Sequence, residues 1–331
     1  MAPGSPLSRG RRFCLSGASM GTLLNVSLPF FGLIFVGYAA GWTRIITAQA
    51  YLGLNAFVIW FALPAMLFIK MAQAPVFTAF DWKFVAAYSG GGLIAYAFTV
   101  GLSRLLFAIN WGERAVQGMS ASFGNVGFMG LPILVTLFGD AAVLPAVLII
   151  VFDHVLLIPL TTALIEGSSG GNASLPAIFK RVAINMSRNP LIISTFAGLL
   201  WGLTGLSLFS PLETLLNLLA NASAPCALFA LGLTLVGRPI SEGLEQVSLA
   251  AIGKLAVHPL VVWMLAAYVL QLDAFLTAVA VIQASMPTAA NVYILATQQN
   301  TYVQRASSTI LVTTVIATIT VSAFMVLFTA Y

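Results

Sequence analysis

Apolar residues fall along this chain in long runs separated by short polar or Gly- and Pro-bearing breaks. Ten runs are long enough to cross a bilayer as helices: 23–42, 51–73, 83–107, 115–138, 141–165, 190–209, 211–236, 248–270, 272–298 and 302–330. The one sizeable interruption, Glu166 to Asn189, replaces the apolar background with Gly, Ser, Asn, Lys180, Arg181 and Arg188. It divides the chain into two groups of five, 20–165 and 190–331, joined by the loop 166–189. The pattern predicts an all-α polytopic membrane protein of ten transmembrane helices. Residues 1–19, rich in Pro, Gly, Ser and Arg with only a weak apolar stretch, read as a disordered extension or a misassigned start ahead of Met20.

Composition narrows the class. Of the 331 residues, 60% are apolar and 7% charged, against roughly 45–50% and about 25% in soluble domains, which excludes a soluble globular protein. Ten spans leave no room for an extramembrane domain. The formal charge of +5 comes from 14 Lys and Arg against 9 Asp and Glu, and Arg9, Arg11 and Arg12 of the tail supply three of the positive charges. No polybasic surface is left for nucleic acid. Cys14 and Cys226 lie in a polar tail and an apolar run, which suggests neither a disulfide framework nor a thiol metal site.

The remaining charges signal orientation. Arg44, Arg104, Arg114, Lys180, Arg181, Arg188, Arg238 and Arg305 fall on one side of the ten-span plan, and only Lys70 and Lys83 on the other. The positive-inside tendency then makes 166–189 cytoplasmic and both termini non-cytoplasmic, in a cell membrane.

Five spans per half is an odd number, so duplicated halves must have opposite topologies, the inverted-repeat plan of secondary transporters. Leu63-Pro64-Ala65-Met66-Leu67-Phe68 in span 2 matches Ala224-Pro225-Cys226-Ala227-Leu228-Phe229 in span 7 at an offset of 161. Ala121-Ser122-Phe123 in span 4 matches Ala284-Ser285-Met286 in span 9 at an offset of 163. Each of these two later spans also contains a break. Span 4 runs Gly124-Asn125-Val126-Gly127-Phe128-Met129-Gly130-Leu131-Pro132, and span 9 runs Gln283-Ala284-Ser285-Met286-Pro287-Thr288-Ala289-Ala290-Asn291. Proline removes a helical donor and glycine tolerates unwound dihedrals, so both helices should open near the midplane. Freed backbone groups are costly in hydrocarbon unless they line an enclosed wet cavity, and half-helix N-termini there favour an anion. Gly124, Asn125, Gly127, Gln283, Ser285, Thr288 and Asn291 are the candidate substrate-binding residues. Gly130, Pro132 and Pro287 are the candidate helix breakers.

Ionisable groups inside spans are functional candidates. Lys254 and His258, four apart, share a face of span 8. Lys254 could hold an anion or snorkel to the interface, and His258 could take a proton or satisfy a carbonyl. Asp153 of span 5 could bind a proton or cation or serve as a structural acceptor, and it points about 100° away from His154. Gly90-Gly91-Gly92 in span 3 lies in an apolar helix and lacks a following Lys-Ser/Thr, so it reads as a packing surface rather than a phosphate loop. No nucleophile–base–orienter set and no metal-ligand spacing appears, so neither an enzyme nor a cofactor is expected. The expected function is alternating-access carriage of a small organic anion, with an anion channel or a membrane sensor of carboxylates as the alternative.

Together, Asn125 to Pro132, Gln283-Ala284-Ser285-Met286-Pro287, Leu63-Pro64 and Arg188-Asn189-Pro190 resemble the auxin efflux carrier family, which includes plant PIN-FORMED carriers and bacterial malate or malonate permeases. The resemblance runs from about Met20 to Tyr331. It implies ten helices in two inverted repeats, with helices 4 and 9 broken and crossing at Pro132 and Pro287. It also implies a scaffold of helices 1, 2, 6 and 7, a mobile domain of helices 3–5 and 8–10 moving elevator-fashion, and substrate carboxylate contact at Asn125. The partners it implies are a mono- or dicarboxylate, the lipid bilayer, a proton or sodium as coupling ion, and a second copy in a homodimer through the scaffold. The loop 166–189 is shorter than that of many plant members. Between Phe84 and Phe107 there is also no counterpart of their acidic residue in helix 3.

Overall fold

The computed structural model describes residues 20–73, 81–168, 176–177, 180, 183–184, 187–237 and 243–329. The tail 1–19, the middle of the expected cytoplasmic loop at 169–175, Arg181 and Arg238 lie outside the described residues. Among those described, the chain is helical throughout, with one isolated antiparallel bridge between Gly124 and Thr288.

Helix α1 spans Met20–Trp42, and α2 (Ala48–Phe57) passes through a π-turn (Val58–Ala62) into α3 (Leu63–Gln73). α4 spans Trp82–Leu106 and α5 Trp111–Ser122. Beyond a break, a π-turn (Val126–Gly130) enters α6 (Leu131–Phe138), and a 3₁₀ turn (Gly139–Ala142) links α6 to α7 (Val143–Ser168). Then come α8 (Pro190–Thr204), α9 (Ser210–Thr234) and α10 (Leu244–Ile252), which continues through a π-turn (Gly253–Val257) into α11 (His258–Met264) and a last π-turn (Leu265–Val269). α12 (Ala274–Ala284), α13 (Ala290–Gln298) and α14 (Val303–Thr329) complete the chain. Six described helical stretches are long and apolar enough to cross a membrane: Ala50–Gln73, Trp82–Leu106, Val126–Ser168, Ser210–Thr234, Leu244–Val269 and Val303–Phe328. Shorter apolar helices run over Leu28–Trp42, Pro190–Thr204 and Ala274–Ala284. Their outer faces expose Phe35, Trp60, Phe98, Leu200, Leu218 and Ile319, the surface that lipid tails cover. The molecule is a multi-pass membrane protein.

Proline explains three of the four π-turns. Val58–Ala62, Val126–Gly130 and Gly253–Val257 each end two residues before a proline, namely Pro64, Pro132 and Pro259. A proline ring collides with the carbonyl four residues back and offers no N–H, so widening the preceding turn lets the helix continue.

Close helix contacts are made where glycine removes the side chain. A Cβ on Gly37 of α1 would strike the Phe229 carbonyl of α9, and one on Gly198 of α8 would strike the Phe68 carbonyl of α3. Gly198 is 161 residues beyond Gly37, and Phe229 is 161 beyond Phe68, so the two contacts exchange equivalent positions. Small residues at such points let backbones meet in a lipid environment, where apolar side chains gain little by leaving lipid for one another. The glycine run of α4 acts likewise: Gly91 lies against Val262 and Gly92 against His258 of α11.

Candidate functional site

α5 is anchored at its start by a reciprocal cap. Asn110 Oδ1 accepts from the Glu113 N–H at 2.8 Å, and Glu113 Oε2 accepts from the Asn110 N–H at 3.1 Å. Glu113 also pairs with Arg305 at 2.9 Å, fixing α5 to the start of α14. α5 ends where the Phe123 N–H bonds the Met119 carbonyl at 2.8 Å, and Gly124 and Asn125 then leave the helix. α12 ends similarly, with the Ser285 N–H on the Val281 carbonyl at 2.9 Å.

The two breaks hold each other. The Asn125 N–H donates to the Pro287 carbonyl at 2.7 Å, and the Ala289 N–H donates to the Phe123 carbonyl at 3.1 Å. This short antiparallel pairing satisfies backbone groups freed in the middle of the bundle. The bridged residues are Gly124 and Thr288, Pro287 beside them supplies the accepting carbonyl, and Pro132 lies further along, two residues past the π-turn that carries the helix through it.

On one side of the crossing lies a cavity of about 260 Å³. Gly124, Asn125, Gly127 and Phe128 line it from the first break, and Ala289 and Asn291 from the second. His154 closes it from α7, Ile59 from the π-turn before α3, and Asn189–Leu191 from the start of α8. Three helix amino ends therefore meet here, at Val126, Ala290 and Pro190. The first N–H groups of each have no preceding turn to accept them, and each end carries partial positive charge. No Asp or Glu lines this cavity among the described residues. Asn125 precedes the first of these ends without capping it by its side chain, so its carboxamide is available to the cavity. At the third, Asn189 Oδ1 accepts from the Leu191 N–H at 2.9 Å. His154 is fixed by Asn291, whose Nδ2 lies 3.1 Å from Nε2, and by the Ile150 carbonyl, 2.7 Å from Nδ1. A carbonyl can only accept, so Nδ1 carries a hydrogen, and Asn291 holds the other ring nitrogen toward the cavity.

Three expected ligands turn away. Ser285 Oγ donates to the Ile282 carbonyl of its own helix end at 2.7 Å. Thr288 is a pin of the crossing, its Oγ1 donating to the Ser120 carbonyl at 2.7 Å and its N–H to Thr313 Oγ1 at 3.1 Å. Gln283 is fully buried against Gly130, whose missing Cβ leaves room for the carboxamide. Asn125, Gly124, Gly127 and Asn291 do line the cavity. His154, Asn189 and Ile59 were not among the candidates, and only the Asn-Pro pair at 189–190, a helix-start signature, could have marked one of them.

The ionisable groups gather on the other side, where α5 and α12 present their carboxyl ends. Lys254 is fully buried and does not reach the interface. Its Nζ donates to the Ala284 carbonyl at 2.7 Å and to His258 Nδ1 at 2.9 Å. Asp153 is buried, accepts from the Tyr88 hydroxyl at 3.2 Å, and lies within the field of the Lys254 charge. A larger cavity, about 450 Å³, opens near Arg44, Thr47 and Thr234 and touches neither break.

Comparison with known proteins gives a consistent result. Residues 23–325 match the family described as "Membrane transport protein". The chain is similar to a "Putative malonate transporter" of Rhizobium meliloti (strain 1021), 32% identical over 312 residues that cover 93% of this chain and 96% of the relative. It is also similar to the "Uncharacterized transporter YfdV" of Escherichia coli (strain K12), 24% identical over 302 residues covering 86% and 91%. A "Lysosomal cholesterol signaling protein" of Mus musculus is 28% identical over 241 residues, 66% of this chain but 26% of the relative.

Proposed function

This chain belongs to the membrane transport protein family, the auxin efflux carrier family, and from that premise we propose that it is a secondary carrier for a small organic anion, a malonate-like dicarboxylate or a monocarboxylate. The observation that carries the reading is the cavity at the crossing, where three helix amino ends and the Asn125 carboxamide face a space with no carboxylate among the described residues. A carboxylate there would be held by backbone N–H groups and neutral amides, without an arginine. About 260 Å³ suits an anion of a few carbon atoms. The relation to a protein named for malonate favours that class.

The proposed plan has ten membrane helices in two inverted halves, 20–165 and 190–331. Support comes from the exchanged contacts Gly37 on Phe229 and Gly198 on Phe68, because a two-fold axis relating the halves would generate one from the other. In this plan α1–α3, α8 and α9 form the scaffold and a homodimer surface, while α4–α7 and α10–α14 move as the transport domain. The cavity is lined from both groups, by Ile59 and Asn189 on one and by Asn125 and His154 on the other, as a site exposed alternately to the two sides requires. Both termini are non-cytoplasmic in the proposed orientation, with 166–189 cytoplasmic, in a cell membrane.

Proteoliposomes loaded with unlabelled malonate should take up radiolabelled malonate by counterflow and saturate. Counterflow absent for malonate and for a panel of other mono- and dicarboxylates, or single-channel currents with no saturation, would overturn the reading.

A further inference from the structure

We propose that the cavity between the corner joining α1 to α2 and the carboxyl end of α9 binds the phosphate of an anionic phospholipid, with the Arg44 guanidinium as its ligand. The inference rests on α1, α2 and α9 alone and is independent of the carrier's substrate.

The second half of the chain supplies the comparison. Gly41 of α1 and Gly202 of α8 stand 161 positions apart, as Gly37 and Gly198 do, and each lets its helix press on the opposite half. Gly41 lies against the Leu233 and Val236 side chains at the end of α9, and Gly202 against the Met71 and Ala72 carbonyls at the end of α3. Past each glycine the chain leaves its helix in the same way. The Arg44 N–H donates to the Gly41 carbonyl at 3.1 Å, and the Gly205 N–H to the Gly202 carbonyl at 3.2 Å. Both residues are left-handed, with φ of 59° at Arg44 and 66° at Gly205. Glycine takes that conformation freely, whereas a side chain there crowds its own backbone. The second half uses the residue that the turn favours. The first half places an arginine at the strained position, and such strain clusters where a side chain serves a ligand.

The space beside that arginine fits a phosphate. About 450 Å³ opens between the corner and α9, lined by Arg44, Thr47, Tyr51 and Thr234 among apolar neighbours. Among the described residues no Asp or Glu lines it, and Arg44 is in no ion pair. A planar guanidinium without a carboxylate partner matches phosphate oxygens two at a time. The setting selects a lipid over a free ion. Trp42 and Ile45, flanking the corner, are 71% and 80% exposed, at the end of a helix whose outer face exposes Phe35. An exposed tryptophan beside an arginine at a helix end marks the headgroup layer of a membrane. In the proposed orientation that layer is the cytoplasmic leaflet, whose anionic lipids are drawn to basic pockets between helices. A headgroup seated in the cavity would bridge α1, α2 and α9.

The test melts the full-length protein, purified in detergent, with phosphatidylglycerol or phosphatidylcholine added at equal mole fraction. Phosphatidylglycerol should raise the wild-type melting temperature by about 3 °C or more over phosphatidylcholine, since a ligand held only by the folded state stabilises it. Arg44→Gly should melt no lower than wild type in phosphatidylcholine, because glycine suits a φ of 59°, and it should not respond to phosphatidylglycerol. Should that variant not fold, Arg44→Asn, whose short side chain also tolerates this backbone, should likewise lose the response. Arg104→Gln, on the same side of the ten-span plan, should keep it in full. Inorganic phosphate in place of chloride at equal ionic strength should leave wild-type melting unchanged. A wild type indifferent to phosphatidylglycerol, or a full response in Arg44→Gly, would overturn the proposal. So would equal losses in Arg44→Gly and Arg104→Gln, the mark of diffuse charge attraction, or an inorganic phosphate shift as large as the lipid's.

Discussion

Asp153→Asn isolates one electrostatic quantity. Asparagine keeps the volume and can still accept from the Tyr88 hydroxyl, which the carboxylate does at 3.2 Å. What disappears is the negative charge opposite Lys254, whose side chain is fully buried and extends its ammonium to the Ala284 carbonyl rather than to any interface. The two groups are not in ion-pair contact but feel each other through the interior, a coupling of about 0.5–3 kcal/mol. Against a net stability of about 5–15 kcal/mol that is readable, and at about 2–4 °C per kcal/mol the variant should melt about 5 °C below wild type. Lys254→Met in the same chain removes the orphaned charge. It leaves the Ala284 carbonyl and His258 Nδ1 without their donor, a loss of about 1–3 kcal/mol for an unsatisfied buried group. The double variant should therefore lose less than the two single losses combined, and the thermodynamic cycle should return a coupling of about 0.5 kcal/mol or more. Melting curves of the four purified proteins at one pH and one salt concentration give the answer. An Asp153→Asn protein that melts with wild type, or effects that simply add, would mean that no charge pair is carried there.

Two further outcomes follow from packing and orientation. Gly37→Ala and Gly198→Ala should each lower the melting temperature by an amount equivalent to about 1–3 kcal/mol, because the new methyl meets a backbone carbonyl that cannot move aside as a side chain could; wild-type stability in either would refute the exchanged contact. In a background without Cys14 and Cys226, Asn172→Cys should resist an impermeant thiol reagent applied to intact cells, and ready labelling would reverse the proposed orientation.

What the sequence disclosed and what it hid divide along a physical line. Local backbone chemistry was legible. The runs from Gly124 and from Gln283 carry the Gly and Pro that open α5 and α12, and the structure breaks both helices there. Pro132 signalled a disturbance, although not that the turn before it would widen rather than break, and the same widening before Pro64 and Pro259 was not read. Side-chain direction was not legible. Ser285 and Thr288 look as available as Asn125 in the sequence, yet their hydroxyls are taken up by Ile282 and Ser120, contacts that depend on where α12 stops and how α5 crosses it. His154 meets Asn291 across 137 positions, and Lys254 finds Asp153 only because α4, α7 and α10 pack together. The position of Pro132 has a related reason: the helix that begins at Val126 continues past it by widening one turn, so the proline marks that wide turn, while the backbone bridge forms at Gly124 and Thr288.

The central claim, an anion held at the crossing by Asn125 and helix amino ends, is tested most directly by titrating malonate calorimetrically into purified wild type and Asn125→Ala, with melting temperature measured on the same samples. Asn125 makes no capping bond and faces the cavity, so its truncation should leave the fold intact. It should remove a hydrogen bond to a charged group, worth about 1.5–3 kcal/mol, a tenfold to hundredfold loss of affinity. Wild-type affinity in Asn125→Ala, with a depressed melting temperature, would contradict the account and return Asn125 to a structural role in its own break.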